Sequence, residues 1–139
     1  MKNKLKNSII LFLAAVFILS SCAQKMHFAV SAVAPAATGI VKIKKDNNSN
    51  YNISLKINNL ASSDRLTPSK KAYIVWMITE NSGTKNIGQL QSNSKFLSSK
   101  LKASLQTVTA FKPNGFFITG EDETQIRVPS GNIVLQTVK

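Results

Sequence analysis

Polar and apolar residues alternate along much of this chain with a period of two. In residues 51–58 the odd positions are Tyr, Ile, Leu and Ile, and the even positions are Asn, Ser, Lys and Asn. Residues 41–44 and 100–105 alternate in the same way. Successive side chains of a β-strand point to opposite faces of a sheet, so this pattern predicts strands that each bury one face.

The segment 73–78, Tyr-Ile-Val-Trp-Met-Ile, is apolar at every position. Its shortness and its β-branched and aromatic residues favour a central strand over a helix. Further strands are predicted at 86–91, 116–120, 124–128 and 132–138, and the connection 59–71 is expected to cross between sheets. The predicted fold class is all-β: a small antiparallel β-sandwich of about seven or eight strands, Ig-like or Greek-key, after an N-terminal signal helix.

The N-terminus has the features of an export leader. Three lysines among the first six residues precede an unbroken apolar run from Ile9 to Leu19, which is the order of regions in a signal peptide. The run would rise only about 16 Å as a helix, roughly half the thickness of a bilayer core. We therefore expect residues 1–21 to be a signal peptide that is removed on export.

The sequence Leu19-Ser20-Ser21-Cys22 resembles the lipobox of bacterial lipoproteins. In that family a small residue precedes the cysteine, the thiol receives a diacylglycerol, and cleavage leaves the cysteine as the new N-terminus. The resemblance implies a mature protein that begins at a lipidated Cys22 and stays on a membrane. Cys22 is the only cysteine, so it has no partner for an internal disulfide. The alternative is an ordinary cleaved signal peptide beside a chance cysteine.

The rest of the chain suits one domain. Residues 22–37 are interpreted as the lipidated cysteine and a tether, with a first edge strand near 28–33, and residues 38–139 as the β-sandwich domain. The mature chain keeps 15 of the 18 Lys and Arg residues and all six acids, so its net charge is near +9. A basic surface of this size favours anionic partners.

Several short motifs within residues 50–138 resemble the extracytoplasmic C-terminal domain of anti-sigma-K-type factors. They are Tyr73-x-Val75-Trp76-Met77, Ile87-Gly88-x-Leu90 after a turn with Gly83, Phe117-Ile118-Thr119-x-Glu121, and Pro129-Ser130-Gly131-x-Ile133-Val134-Leu135. The resemblance implies a compact β-sandwich on the far side of the membrane. It does not transfer the regulatory activity, because sigma-factor binding in that family belongs to a separate cytoplasmic domain that this sequence does not contain.

The sequence shows no catalytic constellation. His27 is the only histidine and lies in the expected tether, so neither a metal site nor a nucleophile–histidine pair is expected. The cluster Glu121-Asp122-Glu123 is expected to be a solvated turn, with a weak cation site or a pairing of Glu80 and Glu121 as alternatives. Trp76 is expected in the core between the two sheets rather than as a ligand-stacking platform. The chain is predicted to be non-enzymatic, with no cofactor and no metal.

Five lysines occupy outward positions of three predicted strands: Lys42, Lys44, Lys56, Lys100 and Lys102. If these strands share a sheet, the charges form one basic stripe suited to an anionic glycan, a lipopolysaccharide phosphate or an acidic partner. The alternative is a solubilising surface that discourages edge-to-edge pairing. Nucleic acid is not expected, because aromatic residues do not interleave with the basic ones.

The sequence thus favours a lipid-anchored, non-catalytic β-sandwich that acts as an interaction or structural module of the cell envelope, with an envelope protein or an anionic glycan as partner. The alternative is a carrier or sensor that binds an anionic ligand on the lysine stripe. Ala23 follows Cys22, and no aspartate stands there to indicate retention in the inner membrane. In a Gram-negative cell the expected location is the outer membrane, facing the periplasm. The oligomeric state is left open.

Overall fold

A computed structural model describes residues 23–92 and 101–138. The described strands are β1 (Gln24–His27), β2 (Thr38–Lys45), β3 (Tyr51–Asn58), β4 (Ala72–Thr79), β5 (Thr84–Gln89), β6 (Gln91–Ser92), β7 (Lys102–Thr109), β8 (Pro113–Glu121) and β9 (Ile133–Gln136), with a 3-10 turn at Ser63–Arg65. Within these two ranges, no helix has the length and apolar character needed to cross a membrane. The leader, the lipobox with Cys22, and Lys100 lie outside the described residues.

The strands form two antiparallel sheets, ordered β1-β2-β3-β7-β6 and β5-β4-β8-β9. The chain changes sheet after β3, after β5 and after β7. From β2 onward this is the strand order of an immunoglobulin-like sandwich, with β2, β3, β7 and β6 in the places of strands A, B, E and D. The predicted all-β sandwich is confirmed, and the connection 59–71 crosses between the sheets as expected.

The period-two pattern of the sequence builds the core between the sheets. Val41 of β2, Leu55 of β3 and Leu105 of β7 are aligned across the first sheet, and they pack against Val75 and Phe116 of the second. The polar residues between them point to the opposite side of the first sheet. Burial of such apolar side chains contributes about 1.5–3 kcal/mol each, which makes this layer the main source of stability.

The second sheet buries its outer face as well. Trp76 and Phe117 stack there with their ring centroids 6.1 Å apart, and both pack with Ala72 and Ile74 in a second hydrophobic cluster. The expectation that Trp76 lies between the two sheets is therefore wrong: the side chain is fully buried, but on the other face of β4. Residues 73–78 of strand β4 are all apolar because the strand contributes to two cores.

The lid of the second cluster is the segment 122–132, which we call the 122–132 loop. Its Ile126 packs into the cluster, and the Asn86 side-chain amide donates hydrogen bonds to the carbonyls of Thr124 and Ile126 at 3.0 and 2.9 Å. The strand predicted at 124–128 is not formed, because these residues lie across the face of the sheet instead of along its edge.

The N-terminal segment is part of the sandwich. Strand β1 pairs with β2 at one edge of the first sheet. The chain then reaches the second sheet, where Phe28 pairs with Thr137 and the Ala29 N–H donates to the Gln136 carbonyl at 2.9 Å. Residues 24–29, expected to belong to a tether, therefore join the edges of both sheets, and the edge strand lies at 24–27 instead of near 28–33.

Candidate functional site

The predicted basic stripe falls on one surface. Strands β2, β3 and β7 are neighbours, and residues opposite each other in antiparallel strands share a face, as Lys42 does with Ser54 and Lys56 with Ser104. The outward side of the first sheet thus carries four of the five predicted lysines, all exposed: Lys42, Lys44, Lys56 and Lys102. That the strands share a sheet is confirmed, whereas anion binding stays a prediction.

A further lysine belongs to this surface. Lys25 of β1 lies opposite Lys42 of β2 and points to the same side. Sequence reasoning missed it because only Met26 and Phe28 alternate with polar residues here, a run too short to distinguish from irregular structure. We call the surface formed by Lys25, Lys42, Lys44, Lys56 and Lys102 the lysine face.

The charge of the lysine face is not neutralised by carboxylates of the described chain. The two described ion pairs lie elsewhere, between Lys70 and Asp122 at 2.7 Å and between Lys112 and Glu80 at 3.0 Å. Like charges directly opposite each other in a sheet are destabilising, so the pairing of Lys25 with Lys42 opposes folding. An external anion would relieve this repulsion, which makes the face suited to a negatively charged partner.

A hollow of about 470 Å³ lies on this face between strands β2, β3 and β7. Its lining has a polar part and an apolar part: Lys42, Lys44, Asn52, Ser54, Gln106 and Thr107, together with Ala23, Ile53 and Val108. Ammonium, amide and hydroxyl groups together are the donors that phosphate and carboxylate oxygens accept from. The hollow therefore offers hydrogen-bond donors to an anion beside a largely apolar lining.

The acidic cluster is not a solvated turn. Glu121 ends β8 with its side chain fully buried on the outer side of the second sheet, whereas Asp122 pairs with Lys70 and Glu123 is exposed. Glu80, the proposed partner of Glu121, lies past the other end of β4, since Ala72 rather than Thr79 pairs with Glu121. The two residues are about 26 Å apart along the strands, too far for a glycosidase-type pair.

The Glu121 carboxylate fastens the 122–132 loop. It accepts hydrogen bonds from the Ser130 hydroxyl at 2.6 Å and from the Ser130 and Gly131 backbone N–H groups at 3.1 and 3.0 Å. Thr119 donates to the same carboxylate at 2.6 Å and itself accepts from the Trp76 indole N–H at 2.8 Å. A Cβ at residue 131 would come within 1.9 Å of the Gly120 carbonyl oxygen, so only glycine fits this close approach.

These contacts keep Glu121 ionised. Burial alone would raise the pKa of its carboxyl, but the hydrogen bonds from Ser130, Thr119 and the Gly131 N–H outweigh burial and hold the pKa below its ordinary value. Its lone pairs are taken up by internal donors, so the group acts as a structural fastening. We call this arrangement of Glu121 with Thr119, Ser130 and Gly131 the Glu121 clasp.

The lowered pKa of Glu121 predicts a pH dependence of stability. A carboxyl with a lower pKa in the folded state stabilises the fold at pH values above its unfolded-state pKa, and this stabilisation is lost as pH falls through the folded-state pKa. We expect the free energy of unfolding to decline below about pH 4.3, the ordinary value for glutamate, and to decline less steeply in Glu121→Gln. Urea unfolding at several pH values measures both curves, and parallel curves would contradict the prediction.

The described residues show no other chemical site. No three His, Cys, Asp or Glu side chains in this part of the chain lie close enough together to hold a metal ion. His27 is exposed on β1 at the margin of the first sheet. The lysine face and the Glu121 clasp are the two groups of polar side chains in these residues that bear most directly on function.

No protein-family model, curated protein or solved structure was found to match this chain. The resemblances of its leader to a lipobox and of its motifs to anti-sigma-K-type factors stay predictions.

Proposed function

We propose that this protein is a lipid-anchored, non-catalytic β-sandwich that acts as an interaction module of the cell envelope and engages an anionic partner through its lysine face. The observation that carries the proposal is the lysine face itself: five lysines on one side of one sheet, with both described ion pairs elsewhere. A non-catalytic role is supported by the Glu121 clasp, because the fully buried Glu121 carboxylate accepts its hydrogen bonds from groups within the protein.

The proposed anchor is a diacylglycerol on Cys22, at the end of the signal peptide 1–21. The lipobox-like residues Leu19, Ser20 and Ser21 support it, and so does the position of the only cysteine. The proposed location is the outer membrane, facing the periplasm, in a Gram-negative cell. A carrier or sensor of a soluble anionic glycan is the second candidate, favoured by the hollow between β2, β3 and β7.

Lipidation is tested by replacing the modified sulfur. In cells fed labelled palmitate, the wild-type protein is expected to take up label and to enter the detergent-rich phase on phase separation, whereas Cys22→Ser should take up none, since it has no thiol to receive the lipid. Ser21→Ala is the matched control, because it keeps a small residue before the cysteine and should stay labelled. Label retained by Cys22→Ser, or absent from the wild type, would overturn the proposal.

A further inference from the structure

We propose that the lysine face lies against the anionic headgroups of the membrane that holds the anchor, so that the domain sits flat on the bilayer instead of standing away from it on a tether. The inference rests on the proposed lipidation of Cys22 and adds to it a binding surface, an orientation and a ligand. The ligand is the anionic phospholipid headgroup layer beside the acyl chains.

Only one residue, Ala23, separates the proposed anchor residue from strand β1 in the sequence. Strand β1 begins at Gln24, which pairs with Ile43 of β2. Two residues of fully extended chain span at most about 7 Å, so an anchor on residue 22 would be joined to β1 by a very short connection. Ala23 lines the hollow together with Lys42 and Lys44, which places the start of the mature chain on the side of the lysine face.

Strand β1 is also held firmly enough to prevent a longer tether from forming. Beyond its pairing with β2, the Val138 N–H donates to the His27 carbonyl at 3.0 Å, and the Ala29 N–H donates to Gln136 at 2.9 Å. Met26 and Phe28 pack against the core between the sheets. Releasing the segment would break contacts with both sheets, so we expect the anchor to stay next to the lysine face.

The side chains of the lysine face are suited to contact with a hydrated layer of anionic headgroups. Its lysines lie among Asn, Ser and Gln side chains, which tolerate a hydrated interface, and Val108 is 58% exposed at the same hollow. Each lysine near an anionic bilayer surface favours contact by roughly fivefold. A face held within a few ångströms of the headgroups meets them at a high effective concentration, which favours them over a soluble anion.

The opposite side of the molecule differs in charge. The 122–132 loop covers the outer face of the second sheet and carries Asp122, which pairs with Lys70, and the exposed Glu123 and Arg127, so its charges largely offset one another. With the lysine face against the bilayer, these acids point away from the anionic surface. The distribution of charge therefore favours one orientation of the domain over its inverse.

The test is lysine acetylation of the full lipidated protein in vesicles, read by peptide mass spectrometry. One set of vesicles is phosphatidylcholine alone and the other contains about one-third phosphatidylglycerol. We expect acetylation of Lys25, Lys42 and Lys44 to slow roughly fivefold in the anionic vesicles, and that of Lys71 and Lys112, which lie outside the first sheet, to stay unchanged. High salt should abolish the difference, because it screens exposed charges.

A charge-matched pair of variants isolates the face. In a variant with Lys25, Lys42 and Lys44 replaced by glutamine, Lys56 should be acetylated at the same rate in both vesicle types. A control with Arg65, Lys71 and Arg127 replaced by glutamine loses the same charge outside the first sheet and should keep Lys56 protected in the anionic vesicles. Equal loss of protection in the two variants would overturn the docking proposal.

Flotation of the same samples separates the two proposals. Protein that does not float with either kind of vesicle shows that the lipid is missing and overturns the proposed anchor. Protein that floats but whose lysine face is unprotected from acetylation in both vesicle types keeps the anchor and overturns the docking surface. Protection that is the same with and without phosphatidylglycerol overturns recognition of the anionic headgroups, and protection of Lys71 and Lys112 instead overturns the orientation.

Discussion

Replacing Glu121 by alanine is expected to lower the free energy of unfolding by about 2–6 kcal/mol. The buried Thr119 hydroxyl and the partly buried Ser130 and Gly131 N–H groups would lose their acceptor, and a buried donor left without a partner costs about 1–3 kcal/mol. Urea unfolding followed by circular dichroism measures the change. Glu123→Ala removes the same charge from an exposed position of the same cluster and should stay within about 0.5 kcal/mol of the wild type.

This comparison decides how the 122–132 loop is held. If the loop were fastened only by the packing of Ile126, Glu121→Ala and Glu123→Ala would have similar small effects. The structure requires them to differ, because Glu121 accepts hydrogen bonds at the far end of the loop while Glu123 does not. Similar effects would show that the Glu121 clasp contributes little.

Trp76→Ala is expected to lower the free energy of unfolding by about 3–5 kcal/mol, the usual cost of truncating a large buried aromatic residue. It would remove the ring that stacks on Phe117 and the indole N–H that binds Thr119. Because Trp76 lies beneath the 122–132 loop, the variant should also release that loop. Trypsin cleavage after the exposed Arg127 under native conditions should therefore become faster.

Met77→Ala is the matched control for this prediction. Met77 is equally buried and is the next residue of β4, but it faces the core between the sheets. Its truncation should cost about 2–5 kcal/mol without selectively accelerating cleavage after Arg127. If the two variants exposed Arg127 to the same extent, the second hydrophobic cluster would not be a separate unit.

The strands were most predictable where a two-residue period placed three or more apolar residues on one face. Residues 51–58 show this best, because Ile53, Leu55 and Ile57 are all buried while Asn52 and Lys56 are exposed. The same pattern placed Lys42 and Lys56 outward before their sheet was known. Periodicity indicates which face of a strand is buried. For a strand with one buried face, this is sufficient to predict which side chains point outward.

Periodicity could not assign Trp76 to a core. A strand that is apolar on both faces has two buried sides, and nothing in residues 73–78 indicates which of them meets the other sheet. Ile126 and Val128 alternate with polar residues in the same way as strand residues do, yet the segment becomes a lid because it has no strand to pair with. The segment that packs over a given face of the sheet is distant from that face in the sequence.

The Glu121 clasp could not be read from the sequence for a similar reason. Three adjacent acids are typical of a solvated turn. The groups that donate hydrogen bonds to Glu121 lie nine and ten residues further along the chain, at Ser130 and Gly131. The Thr119-x-Glu121 and Ser130-Gly131 motifs were visible, but only the fold brings them into contact. The short alternation at Lys25 failed as a signal because four residues carry too little pattern.

The central proposal is that the mature protein begins at a lipidated Cys22, two residues before strand β1. Intact-mass spectrometry of the protein extracted from cell envelopes tests it most directly. We predict a single species that lacks residues 1–21 and is heavier than the remaining 118-residue polypeptide by the mass of an acylated glycerol on its first residue. A chain that retains Met1, or one cleaved near residue 22 with an unmodified thiol, would contradict the account.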